Sequence, residues 1–298
     1  MSSPLVPRAR KILRFTALTF RNLLSRKPVT APQGPVVSMT SYGRRIRTVH
    51  IPLESIAAGA VLPSRLVLWL DDADAVAAPT RGLRRLLRRG LEIRHCADDG
   101  PHKKYYPYVQ SVPQHTVPLV TADDDWMFPT GWLGTLLALH AEDPTTNTSH
   151  RARDILVTAD GLTEYAAWPL AGPRAPSNRN LATGGWGHVL VPAMLEALRG
   201  RHEEFRRLAP RADDVWLHRV AVESGTAPSV VGRYDHHDVL HMPIGDGPTL
   251  ASDNVGDGGN DRQIRAAWPD RLIEAVIADP RPRRPATTPR APRAGRAA

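Results

Sequence analysis

The stretch Val117-Pro118-Leu119-Val120-Thr121-Ala122-Asp123-Asp124-Asp125-Trp126 joins an apolar run of strand length to three successive carboxylates. Because alternate side chains of a strand share a face, we expect Asp123 and Asp125 to point together and Asp124 to point away. Two carboxylates on one side repel each other unless a cation or a hydrogen-bond network compensates them. Carboxylate oxygens suit Mg²⁺ or Mn²⁺, which commonly bridge protein carboxylates to substrate phosphates. A metal site is therefore predicted here; a solvated acidic turn, with Asp124 or Asp125 capping the next helix, is the alternative.

Apolar runs of strand length alternate with helical patterns on both sides of this stretch. Strands are predicted near residues 35–41, 66–70, 91–94, 117–120 and 155–158, and helices over 49–58, 80–89, 132–142 and 192–199. This spacing indicates βαβ units and an α/β fold with a mostly parallel sheet flanked by helices, followed by a less regular C-terminal part. Ligand sites in such sheets lie at the carboxyl ends of strands, where the three aspartates fall.

The positive charge of the chain lies in its two ends. The net charge is +9, but residues 1–33 carry seven Lys and Arg without an acid, and residues 278–298 carry six Arg and one Asp. The remainder, 34–277, is slightly acidic at −3, so we expect one folded domain there and no nucleic-acid partner. The Pro/Arg-rich segment 278–298 is predicted to be disordered. The single cysteine, Cys96, excludes an internal disulfide.

The N-terminal segment has the pattern of a basic amphipathic helix over residues 10–27. Its basic side carries Arg10, Arg14 and Arg21, and its apolar arc carries Ile12, Leu13, Ala17, Phe20, Leu23 and Leu24. The arginines interrupt the apolar run, so it cannot span a bilayer, and no signal-peptide cleavage pattern follows it. Such a helix can lie on an anionic membrane surface. A helix docked on the domain and a disordered leader are the alternatives; we expect a cytoplasmic protein, free or peripheral on the inner face of the membrane.

Two further stretches are candidates for ligand binding and catalysis. Glycines in Ala182-Thr183-Gly184-Gly185-Trp186-Gly187-His188 would let the backbone approach a ligand closely, although a plain connector fits equally well. Asp213 and Asp214 precede a helical pattern, where either could cap the helix or act as a general base. We expect Asp213 at the N-cap or on a sugar hydroxyl, and Asp214, one residue into the helix, as the proton acceptor, with the two facing different ways.

Seven short motifs in this order resemble those of small bacterial GT-A-type glycosyltransferases linked to capsular and surface polysaccharide synthesis. The resemblance covers roughly residues 35–265 and implies a GT-A-like, Rossmann-type sheet. It departs from the family at Trp186-Gly187-His188-Val189-Leu190-Val191-Pro192. The motifs are Val37-Ser38-Met39-Thr40-Ser41-Tyr42 followed by Arg45-Ile46, then Leu68-Trp69-Leu70, Lys103-Lys104-Tyr105-Tyr106, Thr121-Ala122-Asp123-Asp124-Asp125, Thr183-Gly184-Gly185-Trp186-Gly187, Ala212-Asp213-Asp214-Val215-Trp216-Leu217 and Gly259-Asn260-Asp261.

The resemblance also implies roles for individual residues. Asp123 and Asp125 would hold Mn²⁺ or Mg²⁺ against the diphosphate of a nucleotide sugar, where the metal neutralises the charge of the leaving group. A C-terminal histidine would complete the metal site: His241 is our choice, and His236 and His237 are the other candidates. The other implied contacts are with the donor through Thr40, Ser41, Arg44, Lys103, Lys104 and Asp124, with the acceptor through Gly184, Gly185 and Trp186, and with the acceptor proton through Asp214 or Asp213.

The function expected from this pattern is metal-dependent glycosyl transfer from a nucleotide-diphosphate sugar to a saccharide or lipid-linked acceptor, in surface polysaccharide synthesis. Two alternatives stay open. Another metal-dependent phosphate-ester enzyme could use the same aspartates, but a two-metal enzyme would need a second set of ligands nearby, and no histidine-rich motif flanks them. A non-catalytic, membrane-associated binding protein would use the carboxylates only structurally.

Overall fold

The computed structural model describes residues 5–232, 240–242, 254 and 257–280. Thirteen strands lie in this part of the chain, several of them only two residues long. In chain order they are β1 (Val36–Thr40), β2 (Arg65–Leu70), β3 (Leu91–His95), β4 (Leu119–Ala122), β5 (Trp126–Met127), β6 (Thr148–Ser149), β7 (Ala152–Asp154), β8 (Val157–Thr158), β9 (Gly161–Leu162), β10 (Asn180–Ala182), β11 (His188–Leu190), β12 (Ser229–Val230) and β13 (Leu240–His241).

Eleven α-helices accompany these strands within the described residues. They are α1 (Leu5–Leu24), α2 (His50–Ala57), α3 (Ala73–Ala77), α4 (Arg81–Leu87), α5 (Tyr106–Ser111), α6 (Trp132–His140), α7 (Pro192–Gly200), α8 (Glu204–Leu208), α9 (Asp213–Glu223), α10 (Gly259–Ala267) and α11 (Asp270–Ala278). Short 3₁₀ turns at Gly43–Arg47, Gly100–Lys104 and Gly184–Trp186 lie between them and carry several of the candidate site residues.

The main sheet has seven strands in the order β12-β6-β11-β4-β1-β2-β3. Strands β4, β1, β2 and β3 are parallel, whereas β11 runs antiparallel to both β4 and β6. The predicted α/β fold with a mostly parallel sheet flanked by helices is therefore confirmed. The antiparallel strand β11 was not predicted; it enters the sheet directly after the glycine-rich turn.

Helices cover both faces of this sheet, as expected for parallel strands that are apolar on both sides. Side chains that alternate along β1 and β2 enter two separate cores: Val37 and Leu68 pack with α2, α4 and α6, while Val36 and Trp69 pack with α5, α7, α9, α10 and α11. In the register of β1 with β4, Ser38 lies opposite Thr121 and Met39 opposite Ala122. The carboxyl ends of the two central strands therefore meet at one edge of the sheet.

The strand predicted over 155–158 is only partly confirmed, because just Val157–Thr158 forms a strand, β8, and that strand lies outside the main sheet. The chain leaves the main sheet after the short strand β6, and residues 152–162 form two small antiparallel pairs, β7 with β10 and β8 with β9. Ile155 is fully buried in the core but does not lie in a strand of the main sheet. Burial of its apolar side chain, rather than strand pairing, explains the apolar pattern that suggested a strand.

The predicted amphipathic N-terminal helix is present and packs on the domain. Leu18 of α1 is buried in a small cluster with Ile51 and Met127, and two of the three predicted basic-side arginines face the domain, whereas Arg10 is exposed. Arg14 donates a hydrogen bond to the carbonyl of Phe128 at 3.1 Å, and Arg21 donates one to the carbonyl of Ala57 at 2.7 Å. In the described part of the chain, no helix is long and apolar enough to cross a membrane.

A buried ion cluster under α1 connects it to α2 and to the end of α4. The fully buried carboxylate of Glu54 accepts two hydrogen bonds from Arg89, at 2.7 and 3.0 Å, and one from Asn22 at 3.2 Å. Arg21 lies 3.0 Å from the same carboxylate. Because breaking a buried pair leaves an uncompensated charge, this cluster makes the position of α1 specific.

Replacing Glu54 by Gln is expected to lower the free energy of unfolding by about 3 kcal/mol, since Arg89 would remain buried without its counter-charge. Chemical denaturation of the purified protein measures this change. The control is Glu92→Gln, which removes a carboxylate whose partner Arg65 is partly exposed. This exchange should lower the free energy of unfolding by no more than about 1 kcal/mol. Equal stability of the Glu54 variant and the wild type would contradict the assignment of the cluster.

Residues 281–298, which include most of the predicted disordered tail, lie outside the described residues. So do His236 and His237, the alternative candidates for a metal ligand.

Candidate functional site

The three consecutive aspartates follow β4 in a turn that leads directly into β5, and their side chains diverge. Asp124 is 5% exposed and points back to the end of β1. There it accepts a hydrogen bond from the Ser41 hydroxyl at 2.5 Å and one from the Arg45 guanidinium at 2.8 Å. Burial raises the pKa of Asp124 to about 6, although Arg45 acts in the opposite direction. This central aspartate therefore fixes the turn to β1.

The side chain of Asp123 contacts a different group of residues, which surrounds the ammonium group of Lys104. Its Oδ1 lies 2.6 Å from Lys104 Nζ, and Asp213 Oδ2 lies 3.0 Å from the same nitrogen. Lys104 is 5% exposed. Burial alone would lower its pKa, but Asp123, Asp213 and Asp214 together raise the pKa well above its ordinary value. A single buried ammonium group thus links the aspartates after β4 to those at the start of α9.

Asp125 is directed toward His241 in β13, which pairs with β5. Asp125 Oδ2 lies 3.5 Å from His241 Nε2 and 3.7 Å from Arg45 Nη1, whereas the buried Oδ1 has no hydrogen-bond partner among the described residues. His241 Nδ1 lies 3.0 Å from the carbonyl of Met242, which can only accept, so Nδ1 carries a proton. The remaining nitrogen, Nε2, therefore faces a carboxylate. The pair raises the pKa of His241 chiefly through its hydrogen bond with Asp125.

These groups fit a metal ion that shares its coordination with a substrate. An imidazole that donates Nδ1–H to a carbonyl presents Nε2 as a ligand, which is the usual arrangement in metal sites. Asp125 Oδ1 is a buried anionic oxygen beside it with no hydrogen-bond partner among the described residues, whereas Asp123 uses its Oδ1 to accept a hydrogen bond from Lys104. Within the described residues, no three His, Cys, Asp or Glu side chains gather to hold a metal alone. Mg²⁺ commonly uses one or two carboxylates, completed by water and substrate phosphates.

Asp213 and Asp214 occupy the first turn of α9, and the residue at the N-cap is Ala212. The prediction that Asp213 caps this helix is therefore wrong, because the helix begins at Asp213 itself. The two aspartates have different nearest partners, as expected for side chains that face different ways: Asp213 pairs with Lys104 at 3.0 Å. Asp214 Oδ1 accepts a hydrogen bond from the Gly184 N–H at 2.8 Å. Burial, followed by the neighbouring charge of Asp213, raises the pKa of Asp214 to about 7.

The glycine-rich turn approaches both groups of carboxylates through its backbone. The Gly185 carbonyl accepts a hydrogen bond from the Asp123 N–H at 3.4 Å. A Cβ atom on Gly185 would lie 2.7 Å from Asp123 Oδ2, and one on Gly184 would lie 3.4 Å from Asp214 Oδ1. The lack of a side chain at Gly185 thus allows the carboxylate of Asp123 to occupy its position. The turn is part of the site rather than a plain connector.

Substituting Ala for Gly185 is expected to displace the Asp123 carboxylate, because real Cβ atoms do not approach other atoms as closely as 2.7 Å. Metal-dependent affinity for a nucleotide diphosphate should fall about tenfold, a loss typical of a disturbed metal-ligand shell. Titration calorimetry measures the affinity. At Gly172 a Cβ would meet nothing within 4 Å, so Gly172→Ala is the matched control. If both variants bind as the wild type does, the close approach at Gly185 is irrelevant to binding.

Trp186 lies at the site but is largely covered. It is 6% exposed, its carbonyl accepts a hydrogen bond from Trp132 Nε1 at 2.5 Å, and its ring packs edge-on against Trp126 at 5.3 Å. The half-buried ring of Trp126 packs in turn against His241 at 4.8 Å. Trp126 therefore lies between Trp186 and the histidine and is the more accessible indole of the pair.

The two lysines expected at the donor diphosphate have separate partners. Lys104 joins the carboxylate cluster, whereas Lys103 Nζ lies 2.6 Å from Asp71 and 2.7 Å from Asp98. Asp71 follows β2 and Asp98 follows β3, so this ion triad lies farther along the same edge of the sheet. The structure therefore places Lys103 near the neighbouring strand ends rather than with Asp123.

The remaining donor candidates lie at the end of β1. Thr40 donates its hydroxyl to the carbonyl of Trp69 at 3.0 Å, and Ser41 is occupied by Asp124. Arg44 is exposed and has no ion-pair partner in the described part of the chain. Arg45, which sequence reasoning did not select, is the arginine that contacts the aspartates. The sequence alone does not show which of the two consecutive arginines after Gly43 contacts the aspartates.

Comparison with known structures finds proteins of similar fold at low sequence identity. Residues 1–349 of S. aureus TarS, in complex with UDP-GlcNAc, align with 83% of this chain and 71% of that chain at 12% identity, with a TM-score of 0.50. The T. maritima inositol-1-phosphate CTP transferase aligns with 80% of this chain and 100% of that chain at 15% identity, with a TM-score of 0.43.

No protein-family model and no curated protein matches the sequence. At such low identity the likeness to TarS establishes the fold alone, and it confirms the predicted GT-A-like α/β architecture at that level.

Proposed function

We propose that this protein is a metal-dependent glycosyltransferase that moves a sugar from a nucleotide-diphosphate donor to a saccharide or lipid-linked acceptor in surface polysaccharide synthesis. One observation carries the proposal: the buried ammonium group of Lys104 links Asp123, after β4, to Asp213, at the start of α9. Two carboxylate groups with different surroundings can serve different steps of one transfer reaction.

The side of the site formed by Asp125 and His241 is suited to the donor. Asp125 Oδ1 and His241 Nε2 would hold Mn²⁺ or Mg²⁺, while Asp123 pairs through Oδ1 with Lys104. The ion, when bound, neutralises the charge that develops on the departing diphosphate. A nucleotide sugar as donor is supported by the fold shared with TarS, whose structure contains UDP-GlcNAc.

The side formed by Asp214 is suited to the acceptor. Its Oδ1 is held by the Gly184 N–H, which orients the carboxylate and leaves Oδ2 to accept a proton from an acceptor hydroxyl. A general base works best when its pKa lies near the operating pH, and the pKa of Asp214 is raised to about 7. Lys104 stabilises the assembled carboxylates and so keeps the base close to the donor side.

The pH dependence of transfer follows from the protonation of Asp214. The base acts in its ionised form, so kcat/KM should be constant above about pH 7 and fall about tenfold per pH unit below it. A pH profile of transfer in saturating Mn²⁺ measures this. A profile flat down to pH 5 would contradict the role of Asp214, because a carboxyl with an ordinary pKa near 4 would remain ionised there.

Nucleotide binding and product analysis test the proposed function. Titration calorimetry with UDP-GlcNAc, a GDP-sugar and CTP, each with Mn²⁺ and with EDTA, should show metal-dependent binding of one nucleotide sugar. Incubation with that donor and an acceptor extract should release the nucleoside diphosphate. Release of inorganic pyrophosphate from CTP would indicate nucleotidyl transfer instead, and absence of binding to all three would indicate a non-catalytic role for the carboxylates.

A further inference from the structure

Helix α1 packs on the domain through Arg14, Leu18 and Arg21 and presents a mostly apolar side to solvent. Along residues 9–24 the exposed positions are Ala9, Arg10, Ile12, Leu13, Thr16, Ala17, Phe20, Leu23 and Leu24, so only Arg10, near the start of the helix, is charged. The exposed fractions of Leu13 and Leu24 reach 71% and 77%. Large apolar side chains gathered on one exposed face mark an interaction site, whereas single ones are ordinary.

This orientation is fixed by specific contacts rather than by loose packing. Arg14 and Arg21 donate hydrogen bonds to backbone carbonyls of the domain. Arg21 also pairs with the buried carboxylate of Glu54. Asn22 donates hydrogen bonds to Glu54 and to the carbonyl of Gly82. Turning the apolar face inward would break these bonds and leave Glu54 with fewer partners. The apolar face of α1 is therefore held outward by the fold.

A stripe of arginines lies on the neighbouring helix α4. Arg81, Arg84, Arg85 and Arg88 line a shallow recess of about 230 Å³, and none of the four has an acidic partner among the described residues. The stripe lies beside the end of α1, since Asn22 bonds to Gly82 at 3.2 Å and Arg85 reaches Asn22 at 3.5 Å. Four unpaired guanidinium groups on one short helix attract anions.

We propose that the apolar face of α1 and the arginine stripe of α4 form one docking surface for an anionic lipid bilayer. Apolar side chains of an amphipathic helix enter the boundary between head groups and acyl chains, while adjacent basic residues bind anionic head groups. Neither feature alone requires a membrane, but a bilayer satisfies both at once.

Charge distinguishes a bilayer from the other possible occupants. Arg10, Arg26 and Lys27 are exposed on or just after α1, and the α4 stripe adds four arginines. A second copy docking through the same face would place these like charges against each other, which is unfavourable. A nucleic acid would satisfy the arginines but would leave the exposed apolar face of α1 in water.

The docked helix also lies close to the candidate site. Leu18 of α1 packs with Met127 of β5 and with Met242, which follows β13. The same two strands carry Trp126 and His241. A bilayer bound to the outer face of α1 would therefore be separated from these two strands by the thickness of one helix, about 10 Å, which suits a lipid-linked acceptor if the proposed function is correct.

Vesicle binding by the full-length protein, without donor or metal, tests the docking surface independently of catalysis. We expect cosedimentation with vesicles of phosphatidylcholine and phosphatidylserine, little with phosphatidylcholine alone, and weaker binding as salt rises. Leu13→Glu with Leu24→Glu, and separately Arg84→Glu with Arg88→Glu, should each lower the partition coefficient at least about tenfold. Matched controls are Leu170→Glu, at an exposed apolar position elsewhere, and Arg207→Glu, at an exposed arginine of α8.

The outcomes separate the possible occupants. Equal vesicle binding by the wild type and both double variants would overturn the proposal. It would also be overturned if sedimentation velocity showed a dimer that Leu13→Glu with Leu24→Glu dissociates, without any binding to vesicles. Circular dichroism and melting curves of the variants should match the wild type, because the substituted side chains are exposed. A failure of nucleotide binding would affect the proposed function and leave this result unchanged.

Discussion

Replacing Asp125 by Asn is expected to abolish metal-dependent binding of a nucleotide diphosphate while the protein stays folded. Asp125 Oδ1 is buried without a hydrogen-bond partner in the described part of the chain, and Oδ2 faces His241 Nε2 at 3.5 Å. Asn has the same shape but replaces an anionic oxygen with either a neutral oxygen or an amide that donates. Hard divalent ions bind anionic oxygens preferentially, so the site loses its main ligand. Since even outer-shell changes cost 10–100-fold in metal affinity, we expect a loss above about 100-fold.

The measurement is titration calorimetry with UDP in Mn²⁺ and in EDTA, together with a thermal melt. The wild type should bind UDP far more tightly in Mn²⁺, and Asp125→Asn should bind equally weakly in both. Asp160, an exposed aspartate in the turn between β8 and β9, provides the control substitution Asp160→Asn. Unchanged Mn²⁺-dependent binding by Asp125→Asn would disprove the metal assignment, because no other described carboxylate oxygen faces His241.

The position of the aspartates could be predicted from the sequence, but the direction of each side chain could not. An apolar run ending in three carboxylates indicates a strand end, and β4 does end at Ala122. The alternation expected for a strand then assigned Asp123 and Asp125 to one side. In the structure the three residues lie in a turn, where alternation no longer applies, and each side chain takes its own partner: Lys104, Ser41 with Arg45, or His241.

The ion pairs between residues far apart in the sequence could not be predicted either, because they depend on how the strands are arranged. Lys103 and Lys104 are adjacent in a 3₁₀ turn, so their side chains leave in different directions. Which carboxylates each one meets depends on the order of β1, β2 and β3 in the sheet, and no local pattern encodes that order. The same holds for strands β6 and β12, which are only two residues long: β6 pairs with β11, and β12 pairs with β6.

The N-terminal helix shows a different limit. Its amphipathic pattern predicted the helix correctly, and a helix of a soluble domain usually turns its apolar face toward the core. Here Arg21 instead pairs with the buried carboxylate of Glu54, so this arginine faces the domain. The sequence contains both the pattern and the glutamate, but only the packing of α1 against α2 and α4 shows that they act together.

The last prediction concerns the proton acceptor. Exchanging Asp214 for Asn should lower turnover by about 10² to 10⁴, the usual contribution of a general base, while affinity for the donor stays near that of the wild type. Asn can still accept the hydrogen bond from the Gly184 N–H that Asp214 accepts at 2.8 Å, so the local geometry is preserved and only the basicity is lost. Burial and the charge of Asp213 raise the pKa of Asp214 to about 7, which suits a general base near neutral pH.

Asp213→Asn is the matched comparison, because it removes a carboxylate from the same turn of α9. Asp213 pairs with buried Lys104 at 3.0 Å, so its loss should reduce the electrostatic stabilisation of Lys104 and lower turnover less than tenfold, by roughly 1 kcal/mol or less. Single-turnover kinetics with saturating donor separates the chemical step from binding. If Asp213→Asn loses transfer activity and Asp214→Asn keeps it, the two roles are exchanged. If both variants turn over normally, the pair serves only to hold Lys104, and the base must be sought elsewhere in the site.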